Sequence, residues 1–183
     1  MTSFQTLVES YVNKTYKKVQ RSDCTYKDTM QFCSSELQRL LSMYKDYVDE
    51  DQTARLTRDS IEHHIRRYHD YSIRGDIGAH YRQTGIAKGD TVFEHVIPVK
   101  EIICMLLNGQ LTIQQALHAP TCLIKKSDDV ELRNRGLGAS SPGRWYFFQR
   151  YKVLNSVFTT YNGQSIDLKN WTLADHYKFF NIV

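Results

Sequence analysis

The chain has 183 residues, of which 41% are hydrophobic and 24% are charged. These fractions are typical of globular proteins and exclude a disordered or fibrous chain. A chain of this length buries a hydrophobic core without needing disulfide bonds or bound metal ions. The 3 prolines and 9 glycines are too few for a collagen-like or low-complexity protein. The formal net charge of +4 permits contact with a polyanion but does not require it.

Helices are predicted for the first 84 residues. Apolar residues recur at spacings of three and four near residues 4–12, over residues 29–48 and from Asp51 onward. We expect the third helix to end at the glycine-containing stretch 74–78. The apolar face of the second helix consists of Met30, Phe32, Cys33, Leu37, Leu40, Leu41, Met43 and Tyr44, and that of the third of Leu56, Ile61, Ile65 and Tyr68.

Four of the seven histidines lie between His63 and His80, in and after the third predicted helix. Adjacent histidines diverge by about 100° around a helix, and no His-x-x-x-His pair occurs here, which argues against a metal site. We interpret this segment, including His69, as a polar, exposed helix face. Its arginines, among them Arg66, alternate with acids as in a solvated helix, and a nucleic-acid footprint would show the same pattern.

The four cysteines are Cys24, Cys33, Cys104 and Cys122, and no two of them form the Cys-x-x-Cys pair of a structural zinc site. Cys104 and Cys122 lie among apolar residues, where a cysteine behaves as a small buried hydrophobic side chain. A Cys24–Cys33 disulfide is conceivable, but nothing in the sequence indicates an oxidising compartment. We therefore expect all four to be reduced thiols.

From residue 85 onward, the pattern changes to short strands mixed with helices. Residues 91–97 are rich in β-branched and aromatic types, which predicts a strand that Pro98 ends. Residues 99–107 are predicted to form a buried helix before an Asn108-Gly109 turn. Thr112 is expected to cap a further short helix.

A second strand is predicted at residues 121–124, followed by an acidic helix. Ser127 is expected to cap this helix, with acids in its first turn and its end at Gly136. An aromatic segment, residues 145–158, is predicted to be helical. A second aromatic segment, residues 171–180, lies near the C-terminus and is expected to pack into the core.

The pair Glu94-His95, at the end of the first predicted strand, can support chemistry. A carboxylate binds hard cations through oxygen, and a neutral imidazole takes a proton from water. Neighbouring strand residues point to opposite faces, so both side chains reach one centre only if the backbone bends near them. The order of acid–His strand, second strand and acidic helix is the order that a small metal-dependent nuclease site requires.

The run Glu94-His95-Val96-Ile97-Pro98 resembles the Asp/Glu-His-x-x-Pro signature of HNH endonucleases, the ββα-metal group. Residues 123–132 resemble the closing strand and metal-binding helix of that family. The resemblance covers about residues 90–150, and the first eighty residues match no family that we recognise. Together with the helical periodicity of the N-terminal part, it predicts an α+β, mostly α fold, in which a helical N-terminal region (residues 1–84) packs on a small ββα-metal core with a helical insertion (85–160). Residues 161–183 then form a C-terminal extension that packs on this core.

The resemblance also implies roles for individual residues. His95 becomes the general base that activates water, and Glu94 a ligand of Mg²⁺ or Mn²⁺. Asp129 becomes the second metal ligand, with Asp128 as the alternative if the register is shifted by one residue. The family commonly has Asn or His at this helix position, and the carboxylate preserves oxygen ligation. The flanking phosphates would be held by Lys125, Lys126, Arg133, Arg135 and Arg144.

Two further features depart from the family pattern. The segment between the two strands is long and helical where compact members have a short loop, and the middle Asn of the family name is not identifiable in this chain. The resemblance implies hydrolysis of phosphodiester bonds, with DNA as substrate and RNA as the alternative.

Two other functions remain open at this stage: a non-catalytic nucleic-acid-binding or structural protein that retains an HNH-like core, and a helical protein–protein interaction module. No apolar run is long enough for a membrane span, and the N-terminus lacks the pattern of a signal peptide. We therefore expect no membrane partner and a cytoplasmic location, in the host cell if the chain is phage-encoded. The oligomeric state stays open, with a homodimer as one option.

Overall fold

The computed structural model describes residues 26–141, 143 and 145–183. Within these ranges the chain has seven α-helices, one π-helical segment, one 3-10 segment and a four-stranded mixed sheet. The fold is therefore α+β and mostly helical, as expected. The helix predicted near residues 4–12 and the thiol of Cys24 lie outside the described residues. Among the described helices, none is both long and apolar enough to cross a bilayer.

Two long helices, α1 (Tyr26–Asp46) and α2 (Asp51–Tyr68), pack against each other along narrow apolar stripes. The stripe of α1 consists of Cys33, Leu37 and Leu40, which are buried at helical spacing. The prediction of a wider face was wrong for Met30, Phe32 and Leu56, all of which are exposed. One residue turns a helix by about 100°, so a position beside the stripe already points to solvent.

Helix α2 continues into a π-helical segment, His69–Ile73, and a short helix α3, Arg74–Asp76. The helical run ends at Gly78, whose φ of +79° suits a glycine, within the predicted stretch. His69 is fully buried, so the prediction of an exposed face was wrong for this residue. The reason is its spacing, since His69 lies four residues after Ile65 and continues the buried stripe of α2.

The sheet consists of β1 (Tyr81–Gln83), β2 (Thr91–His95), β3 (Thr121–Lys125) and β4 (Phe158–Thr160). Its spatial order is β2-β3-β1-β4, so β2 and β4 form the edges. Strand β3 pairs antiparallel with β2 and parallel with β1, and β4 pairs antiparallel with β1. The predicted strands β2 and β3 are both present, whereas β1 and β4 were not predicted because three residues are too few to show an alternating pattern.

The long segment between β2 and β3 is helical, as expected. It contains α4 (Val99–Leu107) and α5 (Ile113–Leu117), and Thr112 caps α5 in a reciprocal pair with Gln115. The apolar side of α4 is buried in the core, but Cys104 lies on the opposite side and is exposed, so its predicted burial was wrong. Cys122, on β3, is buried as predicted.

Helix α6 (Lys126–Asn134) begins directly after β3. Its first turn contains Asp128 and Asp129, where acids interact favourably with the helix dipole. Ser127 lies inside the helix and not at its cap, because the strand passes into the helix without an intervening turn. The predicted helix at residues 145–158 is a shorter 3-10 segment, Phe147–Leu154, and α7 (Leu173–Phe179) follows β4.

A chain of buried hydrogen bonds ties β1 to α7 and to the insertion. The Trp171 Nε1 group donates to the Tyr81 hydroxyl over 2.8 Å, and Tyr81 in turn donates to Nδ1 of His176 over 2.7 Å. The His176 Nε2 group donates to the His118 carbonyl over 2.8 Å. Burial lowers the pKa of His176 to about 3, so the ring is neutral, and the carbonyl acceptor places its proton on Nε2.

We expect Tyr81→Phe to lower the free energy of unfolding by about 1–3 kcal/mol, because it leaves the Trp171 N–H and the His176 Nδ1 without partners. Urea denaturation of the variant and the wild type measures this loss. Tyr161→Phe, at an exposed tyrosine, is the matched control. A loss for Tyr81→Phe no larger than that of the control would contradict the assigned hydrogen-bond chain.

Candidate functional site

Glu94 and His95 line one cleft of about 210 Å³ at the end of edge strand β2. Arg66 of α2 and Lys100 of α4 place two cationic side chains in the same cleft. Its remaining lining residues are Pro98, Val99, Gly138 and Ala139. Neighbouring residues of a strand point to opposite faces, but the strand ends at His95, and both side chains reach the cleft at that end. A carboxylate, an imidazole and two cations therefore share one opening.

The His95 ring lies against two other rings. Its centroid is 5.8 Å from that of Phe93 and 4.9 Å from that of His69. Its Nε2 atom is buried and has no hydrogen-bond partner. Burial lowers the pKa of His95 to about 4, the charge of Arg66 acts in the same direction, and Asp70 opposes both. The ring is therefore neutral at neutral pH and is able to accept a proton.

The Glu94 carboxylate is held by two buried side chains of the 3-10 segment. Arg150 donates through Nη2 to one oxygen, and the Tyr151 hydroxyl donates to the other. Arg150 is fully buried and also donates through Nη1 to the carbonyl of Val96 over 3.2 Å. This buried ion pair joins the end of β2 to the 3-10 segment and fixes the orientation of the Glu94 carboxylate.

The two first-turn acids of α6 have different surroundings. Asp129 forms an ion pair with Arg133, and 18% of its side chain is exposed. Burial raises the pKa of the Tyr151 hydroxyl, and the negative charge of Asp129 adds to this rise. Asp128 accepts a hydrogen bond over 2.6 Å from Gln83, on β1. Asp129 therefore acts on the Tyr151 hydroxyl only through its charge, whereas Asp128 is bound to the neighbouring strand.

The donors near Tyr151 are carboxylate oxygens, which are the ligands that Mg²⁺ and Mn²⁺ prefer. In the part of the chain that the structure describes, no group of three or more His, Cys, Asp or Glu side chains forms a metal cage. Mg²⁺ commonly uses only one or two carboxylates and completes its shell with water and phosphate oxygens. Each Glu94 oxygen accepts one hydrogen bond and retains a second lone pair. Glu94 and Asp129 carry oxygen donors of this chemical type. Both carboxylates also form ion pairs, with Arg150 and Arg133 respectively.

Four of the predicted phosphate-binding cations lie in α6 or at its ends. Lys125 and Lys126 are exposed where β3 meets the helix. Arg133 and Arg135 are exposed and form ion pairs with Asp129 and Glu131. Arg144 lies outside the described residues. The cleft itself is lined by Arg66 and Lys100 instead.

A second cleft, of about 290 Å³, lies between α2 and α4 and shares Lys100 with the first. Arg55 and Arg58 line it from α2, and Arg58 donates a hydrogen bond over 2.7 Å to the Tyr44 hydroxyl. Asp59 and Glu62 line the same cleft, and Glu62 is paired with Arg66. Cationic side chains thus continue from the first cleft along α2.

Sequence reasoning missed Arg150, Tyr151, Lys100 and the burial of His69. Arg150 carries an indication in the sequence, because it is the charged residue within an otherwise uncharged aromatic run, residues 145–151. A charge in such a run is buried only if it is paired, which indicates a carboxylate partner elsewhere. Lys100 carries no such indication, because a lysine at the start of a helix is ordinary.

The chain was compared with protein-family models, with curated proteins and with solved structures, and none of them matches it.

We expect Arg150→Met to lower the free energy of unfolding by about 3–5 kcal/mol, because it leaves the Glu94 carboxylate partly buried without its cation. Arg133→Met is the matched control, since it breaks an ion pair whose arginine is 62% exposed, and it is expected to cost at most about 1 kcal/mol. Chemical denaturation measures both. Equal losses for the two variants would contradict the buried ion pair, and adding Glu94→Gln to Arg150→Met should recover part of the loss.

We expect stability to fall as the pH drops from about 6.5 to about 4. Burial lowers the pKa values of His69, His80, His95, His118 and His176, so the unfolded chain binds protons first. For His95, whose pKa falls from 6.5 to about 4, the resulting loss in the free energy of unfolding is about 3 kcal/mol. His95→Gln should lose less stability over this pH range than the wild type. His63→Gln, at an exposed histidine, should lose as much stability over this pH range as the wild type. An equal loss for His95→Gln and the wild type would contradict the burial of neutral His95.

Proposed function

We propose that this chain is a metal-dependent endonuclease of the HNH type that hydrolyses phosphodiester bonds in DNA. The observation that carries the proposal is the shared cleft: a neutral His95, the Glu94 carboxylate and two cations, Arg66 and Lys100, all line it. A phosphodiester resists attack because of its negative charge. A site that cleaves it therefore needs positive charge beside a base, and this cleft contains both.

The order of elements around the cleft supports the same proposal. Strand β2 pairs antiparallel with β3, and α6 follows β3 directly. This is the strand–strand–helix order that the resemblance implies, with α4 and α5 inserted between the strands. Glu94 from the first strand accepts a hydrogen bond from Tyr151, and the negative charge of Asp129 from the helix acts on the same hydroxyl.

In this mechanism, His95 takes the proton from the attacking water. A general base in position contributes about 10²–10⁴ to the rate. Its pKa of about 4 keeps it unprotonated through the neutral range. Arg66 and Lys100 bind the phosphate and reduce the charge that repels the incoming water. Arg150 and Tyr151 keep the Glu94 carboxylate in place during these steps.

Glu94 and Asp129 are the residues that would hold Mg²⁺ or Mn²⁺, with Asp128 kept as the alternative. When bound, such a cation neutralises the scissile phosphate and stabilises charge on the leaving oxygen, which is worth several kcal/mol. The phosphates flanking the scissile bond would be contacted by Lys125, Lys126, Arg133, Arg135 and Arg144. The second cleft, with Arg55 and Arg58, extends this basic surface along α2.

The test is incubation of supercoiled DNA with the protein and Mg²⁺ or Mn²⁺. We expect nicking that a chelator abolishes. His95→Ala should lower the cleavage rate by about 10²–10⁴ while DNA binding is retained. His63→Ala, at an exposed histidine of the same protein, should cleave at the wild-type rate.

Two outcomes would contradict the proposal: nicking that persists with the chelator, or full activity of His95→Ala. If no DNA or RNA is cut with either ion, binding measured against salt concentration separates the remaining functions. Binding that weakens steeply with salt supports the non-catalytic nucleic-acid-binding protein that retains an HNH-like core. The absence of such binding supports the interaction module.

A further inference from the structure

Against the His95 ring lies a second histidine, His69, that does not line the cleft and that the mechanism above does not use. The His69 ring is fully buried, and its centroid is 4.9 Å from that of His95, with 38° between the ring planes. Neither nitrogen of His69 makes a hydrogen bond of normal geometry, although the backbone at Leu117 and Ala116 is close by. The Nε2 atom of His95 is also buried and unpartnered.

Buried ring nitrogens without hydrogen-bond partners lower the stability of the folded protein. A buried polar group without a partner has lost its hydrogen bonds to water and gained none in return. One hydrogen bond between the two rings would satisfy a nitrogen on each. Because a neutral imidazole has one N–H and one lone pair, two such rings are complementary when one presents its donor and the other its acceptor.

The spacing of the rings suits this bond. Two imidazoles joined by an N–H···N bond of ordinary length have centroids about 5 Å apart. The observed separation is 4.9 Å, so the two rings are close enough for this bond.

We propose that His69 is a positioning residue for His95: its ring accepts a hydrogen bond from Nε2–H of His95. This bond fixes the tautomer in which Nδ1 of His95 carries the lone pair. Since Nε2 is buried, Nδ1 is the nitrogen left for the cleft. The assignment of His95 as a base rests on the proposed function, whereas the pairing of the rings does not.

The backbone supports this role for His69. It is the first residue of the π-helical segment, and it continues the buried stripe of α2. π-helical turns inside α-helices are frequent at functional sites. The backbone N–H of His69 still bonds to the Ile65 carbonyl as in a regular α-helix, so the stripe of α2 places its ring against that of His95.

Nitrogen-15 NMR of the histidine rings in the full chain tests the pairing directly. We expect His95 to be protonated on Nε2 and to bear its lone pair on Nδ1. We also expect a scalar coupling between Nε2 of His95 and a ring nitrogen of His69. A His95 protonated on Nδ1, or the absence of this coupling, would overturn the proposal, and neither result depends on nuclease activity.

Two variants separate positioning from mere packing. His69→Gln retains an acceptor, whereas His69→Leu has none. Relative to the wild type, we expect kcat to fall about 10- to 100-fold in His69→Leu, with KM unchanged, and to be largely restored in His69→Gln. Equal kcat in the two variants would overturn the role. If His69→Leu does not fold, the NMR result on the wild-type protein decides whether the two rings are paired. A wild-type protein that does not cleave DNA contradicts the proposed function but not the pairing of the rings.

Discussion

The arrangement at the end of β2 depends on the ion pair between Glu94 and the fully buried Arg150. Removing two charges from water is costly, and the pair is stable only if further hydrogen bonds complete it. Tyr151 and the Val96 carbonyl provide these bonds. Because both Glu94 oxygens accept hydrogen bonds, from Arg150 and from Tyr151, the carboxylate is fixed in the cleft that it shares with His95. One buried ion pair therefore determines how the Glu94 carboxylate is presented.

Much of the fold could be predicted from hydrophobic periodicity and caps. The bounds of α4 were predicted from its apolar run, and the start of α5 from Thr112, because these patterns are local. The strands β1 and β4 were missed, since their pairing with each other and with β3 is set by contacts distant in sequence. The exposure of Cys104 was missed for a related reason, because hydrophobicity alone does not say which side of a helix meets its neighbours.

For the candidate site, the sequence indicated the residue types but not their partners. Glu94 and His95 were singled out because an acid and a histidine end an apolar strand. Their surroundings come from segments far along the chain: Arg150 lies 56 residues beyond Glu94. Similarly, His69 resembled its exposed neighbours in composition, and only the continuation of the α2 stripe distinguishes it. The spacing of residues along a helix can be read from the sequence, whereas the contacts between segments distant in sequence cannot.

The α4–α5 insertion has a consequence for how the chain folds. Strands β2 and β3 are fully paired from Thr91 with Lys125 to His95 with Thr121, yet no tight turn joins them. Closing so long a connection costs entropy before any strand contact forms, and such non-local pairing slows folding. Helix α4 has 9 residues and α5 has 5, so neither is long enough to be stable on its own in water. They shorten the connection only when they pack on the core, and the insertion and the β2–β3 pair therefore depend on each other for stability.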